Sequence, residues 1–214
     1  MVTGPIQIHL IRHGEVHNPN RILYGRLPRF RLNQNGRRQA RAAGVHLDGC
    51  PIDALFSSPM LRARQTAREI IRYHPHLRLR VSELINEVRT SFEGRPGAEI
   101  DARNGDVYSG GNGGSEQPLD IVHRTRRFIH RVGRQYTGGQ VAAVTHGDVI
   151  TFIVLWARGF DPTPRNKNRL LQAGYPVAYP AHASITTLTY RAASPEEKPG
   201  MTYCVPGKDL PIVF

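Results

Sequence analysis

The spacing of apolar positions changes from one stretch of the chain to the next. Residues 6–11 (IQIHLI) are apolar almost without interruption, as in a strand covered on both faces. A turn at Arg12-His13-Gly14 ends that run. Residues 52–56 form a second short apolar strand, and Ser58-Pro59 predicts a helix start with Ser as cap and Pro in the first helical position. Ala63, Ala67, Ile70 and Ile71 follow at helical spacing, with Arg64, Arg68 and Arg72 on another face. Residues 77–81 alternate as a strand does. Residues 94–114 hold seven glycines with Pro, Asn and Asp, and predict a long loop flanking the site. Ile121, Thr125, Phe128, Ile129 and Val132 mark one buried helical stripe, while Arg124, Arg127, Arg131 and Arg134 read as its solvated face. A core strand over 140–145 ends at His146-Gly147-Asp148, and 149–157 reads as an apolar helix. Residues 184–190 and 201–205 are late strands, whose edge offers a place for a homodimer to pair.

Strands that alternate with helices from residue 6 to about 157 predict an α/β fold of three layers, α/β/α. The central sheet is expected to be mostly parallel and flanked by helices on both faces, in a single domain spanning 1–214. In such sheets ligands bind at the carboxyl ends of the strands. Arg12, His13 and His146 fall at such ends, and Arg62 falls in the first turn of a helix just after another strand. Two histidines and two arginines far apart in sequence are thereby placed on one rim.

Composition adds a charge to this picture. The chain has 214 residues, with 29 Lys plus Arg against 17 Asp plus Glu and a formal charge of +12. Of the basic residues 26 are Arg and 3 are Lys, which invites an anionic partner. No apolar run reaches the ~18–20 residues needed to cross a bilayer, so no membrane partner is expected. The N-terminus lacks the pattern of a secretory signal, which leaves the cytoplasm as the expected compartment. Cys50 and Cys204 form neither a metal-type spacing nor a disulfide framework. No nucleic-acid motif interleaves with the arginines, so a nucleic-acid or other polyanion binder stays a rival reading only.

Three motifs carry a resemblance. Leu10-Ile-Arg-His-Gly-Glu15, Ser57-Ser-Pro-Met-Leu-Arg62-Ala-Arg-Gln-Thr-Ala67 and Thr145-His-Gly-Asp-Val-Ile150 stand in order. They resemble the signatures of the histidine phosphatase superfamily, also called phosphoglycerate mutase-like, over roughly residues 6–190. Tyr24-Gly25-Arg26, Asn86-Glu87, Gly113-Gly-Ser-Glu116 with Arg124, and Ala183-Ser-Ile-Thr186 are weaker echoes. The chain departs from the family at Pro19, where Asn is frequent, at Asn33-Gln34-Asn35, and at His182. Glu87-Val-Arg-Thr-Ser does not resemble the corresponding segment of the cofactor-dependent mutases.

The resemblance implies a metal-independent phosphomonoesterase without a cofactor, acting on a small phosphorylated metabolite. A phosphate monoester carries about −1.5 to −2 charges, so a neutral imidazole is a suitable nucleophile. His13 is expected to become phosphohistidine. Arg12, Arg62 and His146 would supply donors to the phosphoryl oxygens, and Glu87 would protonate the leaving alkoxide. Asn18, Arg26 and Gly147 are expected substrate contacts. His9 is expected beside the sheet, and His74 and His76 in exposed loop. The alternative within the same chemistry is a phosphoglycerate mutase. Sugar phosphates, phosphoglycerate, phosphoserine, nucleotide monophosphates and α-ribazole phosphate all remain open as substrates.

Overall fold

In the computed structural model, which describes residues 4–111, 113–191, 197–208 and 211–214, the spine of the sheet is β1 (Ile6–Arg12). Its apolar run is covered on both faces. Ile6, Ile8 and Leu10 join one core cluster and Ile11 joins the other. His9 is the polar interruption, and it packs beside the sheet as expected. Its ring nitrogens lie 2.9 Å from Thr187 Oγ1 and 3.1 Å from Gln140 Oε1, so a buried imidazole is satisfied rather than orphaned.

The remaining elements follow the expected alternation. They are α1 (Gln34–Leu47), β2 (Ile52–Ser57), α2 (Leu61–Ile71), β3 (Leu79–Val81), α3 (Gly97–Ala102), α4 (Pro118–Gln135), β4 (Gln140–Thr145) and α5 (Gly147–Ala157). Three further strands close the chain: β5 (Ile185–Tyr190), β6 (Gly200–Cys204) and β7 (Ile212–Val213). All seven strands form one sheet in the order β3-β2-β4-β1-β5-β6-β7. Residues of α4 and α5 pack with Ile8 and Val141 on one face, and residues of α1 and α2 pack with Ile11 and Val144 on the other. This is the three-layer arrangement.

The sheet is mixed rather than mostly parallel. β3, β2, β4 and β1 pair in parallel, whereas β5, β6 and β7 are added antiparallel. The parallel half is built from strand–helix–strand units whose helices carry the chain back across the sheet. After α5 the chain instead runs through an irregular excursion to Ser184, and enters β5 from the opposite end.

Three local expectations are corrected. Ser58 does not cap α2, whose N-cap is Met60 with no side-chain cap bond. The glycine-rich stretch 94–114 is not loop throughout, because Gly97–Ala102 forms α3. His74 is buried rather than exposed, in the turn that follows α2.

Candidate active site

The parallel half of the sheet decides where the site forms. Arg12 is in register with Thr145, and Ser57 with Val144, so the strands β2, β4 and β1 end side by side. The next residue on each strand, Ser58, His146 and His13, therefore converges on one rim. The His13 and His146 rings lie 5.3 Å apart, edge to face. Both side chains are buried.

His13 is held in one tautomer by its own turn. Nδ1 lies 2.8 Å from the Gly14 carbonyl oxygen, which can only accept, so the ring proton sits on Nδ1. Nε2 keeps its lone pair and accepts from Arg62 Nε at 3.2 Å. Burial, reinforced by the Arg62 and Arg12 guanidinium groups and His146, holds its pKa well below the usual imidazole value. The ring is a neutral base in the free protein. Gly14 is required by packing. A side chain there would run into the Gly36 carbonyl at the start of α1. Its N–H donates to Thr66 Oγ1 at 3.0 Å, which ties the turn to α2.

Arg62 is the hub. It sits in the first turn of α2, a position where the helix dipole disfavours a cation, and it is 1% exposed. Its Nη2 donates to Glu87 Oε2 and to the Gly25 carbonyl, each at 2.9 Å. Its guanidinium also stacks 4.7 Å from the Tyr24 ring. A buried arginine at a helix start is thus stabilised by carboxylate, carbonyl and aromatic face together.

His146 Nδ1 lies 3.0 Å from Glu87 Oε2, and its Nε2 lies 2.7 Å from Ser58 Oγ. A ring proton on Nδ1, donated to the carboxylate, with Ser58 donating to Nε2, satisfies both contacts at once. Burial brings the His146 pKa down to about 4 against the raising effect of Glu87. Burial pushes Glu87 the other way, yet His146, Arg62 and the Val88 N–H outweigh it and hold the carboxyl well below its usual range. Glu87 is therefore ionised in the free site.

Arg12 turns one amino group to the Pro180 carbonyl at 2.6 Å and lies over the Tyr179 ring at 4.9 Å. Its Nε is buried and has no hydrogen-bond partner among the described residues. A cavity of about 210 Å³ opens beside these groups and is lined by Arg12, His13, Glu87 and Gly147 among others. His13, Glu87 and His146 also present ligand atoms within 4.8 Å of one another, close enough to hold a metal ion. The Arg62 guanidinium already bonds His13 and Glu87 and lies 3.3 Å from His146 Nδ1, so a cation is built into that position.

The expected substrate contacts divide. Gly147 lines the cavity, and a side chain there would strike the Tyr179 hydroxyl. Asn18 does not reach it; its amide bonds the Ile22 main chain in both directions and shapes the loop. Arg26 stands behind Glu87 and donates to its main-chain carbonyl at 2.7 Å. Arg124 is not part of the solvated row. It grips Glu116 with two donors at 2.6 and 3.2 Å and donates to the Leu84 carbonyl at 3.0 Å. Arg26 and Arg124 thus brace the segment that carries Glu87, while Arg127, Arg131 and Arg134 are exposed.

Several site residues escaped the sequence pattern. Tyr24, Thr90, Lys167 and Tyr179 line the cavity from loops, and Ser58 orients His146. Two of them carried a signal: Tyr24 in the Tyr24-Gly25-Arg26 echo, and Ser58 as the second serine of the Ser-Ser-Pro motif.

Arginine donors and neutral histidines thus converge at the carboxyl ends of parallel strands, where α/β folds place their ligand sites. The sequence matches the histidine phosphatase superfamily (branch 1) over residues 8–193. It is 32% identical over 199 residues to the uncharacterized protein Rv0525 of Mycobacterium tuberculosis, covering 86% of this chain and 90% of that one. It is 30% identical over 156 residues to the uncharacterized phosphatase PhoE of Bacillus subtilis, covering 72% and 78%. Among solved structures, the mycobacterial glucosyl-3-phosphoglycerate phosphatase Rv2419c superimposes with a TM-score of 0.70 at 22% identity, covering 86% and 90%. The chain belongs to the histidine phosphatase superfamily, and it is an enzyme of the phosphatase class. No helix among the described residues is long and apolar enough to cross a membrane.

Proposed function

We propose that the protein hydrolyses a small phosphate monoester through a phosphohistidine on His13 Nε2, without a metal ion. The observation that carries this reading is the state of His13. Its Nδ1 proton is committed to Gly14, its Nε2 lone pair is held only by the Arg62 Nε–H beside the cavity, and its burial keeps it neutral. A neutral nucleophile approaches a phosphate dianion without charge repulsion.

In the first step the Nε2 lone pair forms the N–P bond while the ester P–O bond breaks. The leaving oxygen takes a proton from Glu87 and departs as the alcohol. In the second step water attacks phosphorus, Glu87 takes the water proton, and the N–P bond breaks to regenerate neutral His13. Arg62, the free Nε of Arg12 and the Nδ1–H of His146 offer donors to the three non-bridging oxygens. Glu87 is ionised in the free site, so the proton must arrive with the substrate. A bound dianion draws the Arg62 and His146 donors away from Glu87 and adds a negative charge beside it, and both effects raise its pKa. The metal-free assignment rests on Arg62, whose fixed charge occupies the position a divalent ion would take.

The test is phosphate release from a panel of phosphorylated metabolites with EDTA present. Activity is expected to persist in EDTA, with acid-labile phosphate trapped on the wild-type protein. His13→Ala is expected to lose turnover by roughly four orders of magnitude or more. Near wild-type activity in that variant would overturn the mechanism.

A further inference from the structure

Another part of the cavity lining is built differently. Ile22, Leu23, Val88, Ile100 and Val107 form an apolar wall, and Lys167 with Asp148 closes it. Lys167 is 9% exposed, a degree of burial rare for lysine unless it is paired. Its Nζ donates to Asp148 Oδ2 at 2.8 Å and to the Gly105 carbonyl at 2.7 Å, and lies 5.5 Å from the Tyr108 ring centre. Asp148 is equally engaged. Tyr179 donates to Oδ1 at 2.7 Å, and the Tyr108 hydroxyl shares Oδ2 with Lys167. The one lysine that reaches the cavity is thus neutralised inside the wall itself.

The charges around the cavity then close on a single ligand. When Glu87 carries the leaving-group proton, Arg12, Arg62 and Lys167 stand against Asp148 alone. The surplus matches one phosphate dianion. A second anionic group on the substrate would enter apolar surroundings without a counter-charge, which costs free energy. The cavity is also small: about 210 Å³, against the ~300–1,000 Å³ usual for drug-sized ligands.

We propose that the pocket takes phosphate monoesters of a compact, uncharged, largely apolar alcohol, and that Asp148 enforces this by holding Lys167 away from any second anion on the substrate. This rests on the phosphatase reading for the groups around His13, and it sets phosphoglycerate and phosphoserine outside the preferred substrates. Asp148 acts here as a positioning residue.

The experiment uses two ester substrates with closely similar leaving groups, benzyl phosphate and 4-carboxybenzyl phosphate. Binding of the two corresponding phosphonates is measured alongside by calorimetry. Wild-type protein should favour the uncharged member about tenfold or more in kcat/KM and in Kd. Asp148→Asn frees Lys167 and should erase or reverse that preference, whereas Lys167→Met should widen it. Equal or opposite preference in the wild type overturns the proposal, as does an Asp148→Asn protein that folds and keeps the full discrimination. Failure of both phosphonates to bind also overturns it. Selective binding without phosphate release would instead sink the phosphatase reading and leave the pocket assignment standing.

Discussion

The active-site cavity carries two ion pairs of the same kinds of residue put to opposite uses. Beside His13 a buried cation, Arg62, meets a partly buried carboxylate, Glu87. In the Asp148 wall Lys167 meets Asp148 in the same way. The difference lies in what each set of groups leaves open. Beside His13, Nε of Arg12 has no partner among the described residues and the lone pair of His13 Nε2 faces only a donor that a phosphate would draw away. In the Asp148 wall, both oxygens of Asp148 are taken, one by Tyr179 and one by Tyr108 and Lys167 together. A buried ion pair is therefore not by itself a reactive site. Reactivity requires a donor or lone pair that the fold positions and does not consume.

The largest test of this contrast is on Glu87. Glu87→Gln should lower hydrolysis of alkyl phosphates by roughly 10²–10⁴-fold and of aryl phosphates with good leaving groups much less. Equal losses for both would remove Glu87 as the acid. The same variant sharpens the proton argument. Sulfate carries no exchangeable proton at pH 7, so calorimetry in buffers of different ionisation enthalpy should show proton uptake on sulfate binding by the wild type. That uptake should vanish in Glu87→Gln.

A smaller effect is expected from pH. His146 has its pKa lowered to about 4 by burial, and His182 is lowered to about 4 by burial and Arg12. The unfolded chain therefore binds more protons than the folded one below about pH 6.5, and stability falls as pH falls. Glu87, depressed in the folded protein, acts in the same direction at lower pH. Between pH 7 and 5, His146 alone should remove roughly 2 kcal/mol, read by denaturant unfolding at the two values. A flat profile over that window would contradict the neutral, buried histidines. The smallest effect belongs to the Asp148 wall. Tyr108→Phe deletes one donor to Asp148 and should cost roughly 1–3 kcal/mol of stability. Its turnover of an uncharged substrate should stay within about threefold of wild type, because Tyr108 touches none of the reacting groups. A loss there as large as that of Glu87→Gln would erase the distinction between the two pairs.

Much of the site around His13 was legible in the chain. Arg12, His13, Arg62 and His146 each sit in a motif at a strand end or helix start, and the parallel register brings them together, while Glu87 comes from the connecting segment between β3 and α3. Continuous apolar runs marked the main strands, which are covered on both faces, and a period-3.6 pattern marked the helices, which are buried on one side. Arg26 and Arg124 stood only in weaker motif echoes, which did not show that they brace the Glu87 segment. Whether an arginine meets solvent, substrate or a carbonyl behind the Glu87 carboxylate depends on the neighbour that the fold supplies. The departures at Asn33 and Asn35 also found their meaning in space, where both side-chain amides donate to the Glu15 carboxylate at 2.6 Å.

By itself the sequence determined the layer architecture, the family and the candidate site residues, because apolar repeats and short motifs are local and survive without their neighbours. Tertiary structure alone decided the antiparallel half of the sheet, the tautomers of His13 and His146, and the pairing of Lys167 with Asp148. Those depend on contacts between residues far apart in the chain, where hydrogen-bond geometry and burial are set by the approach of separate elements and leave no periodic trace.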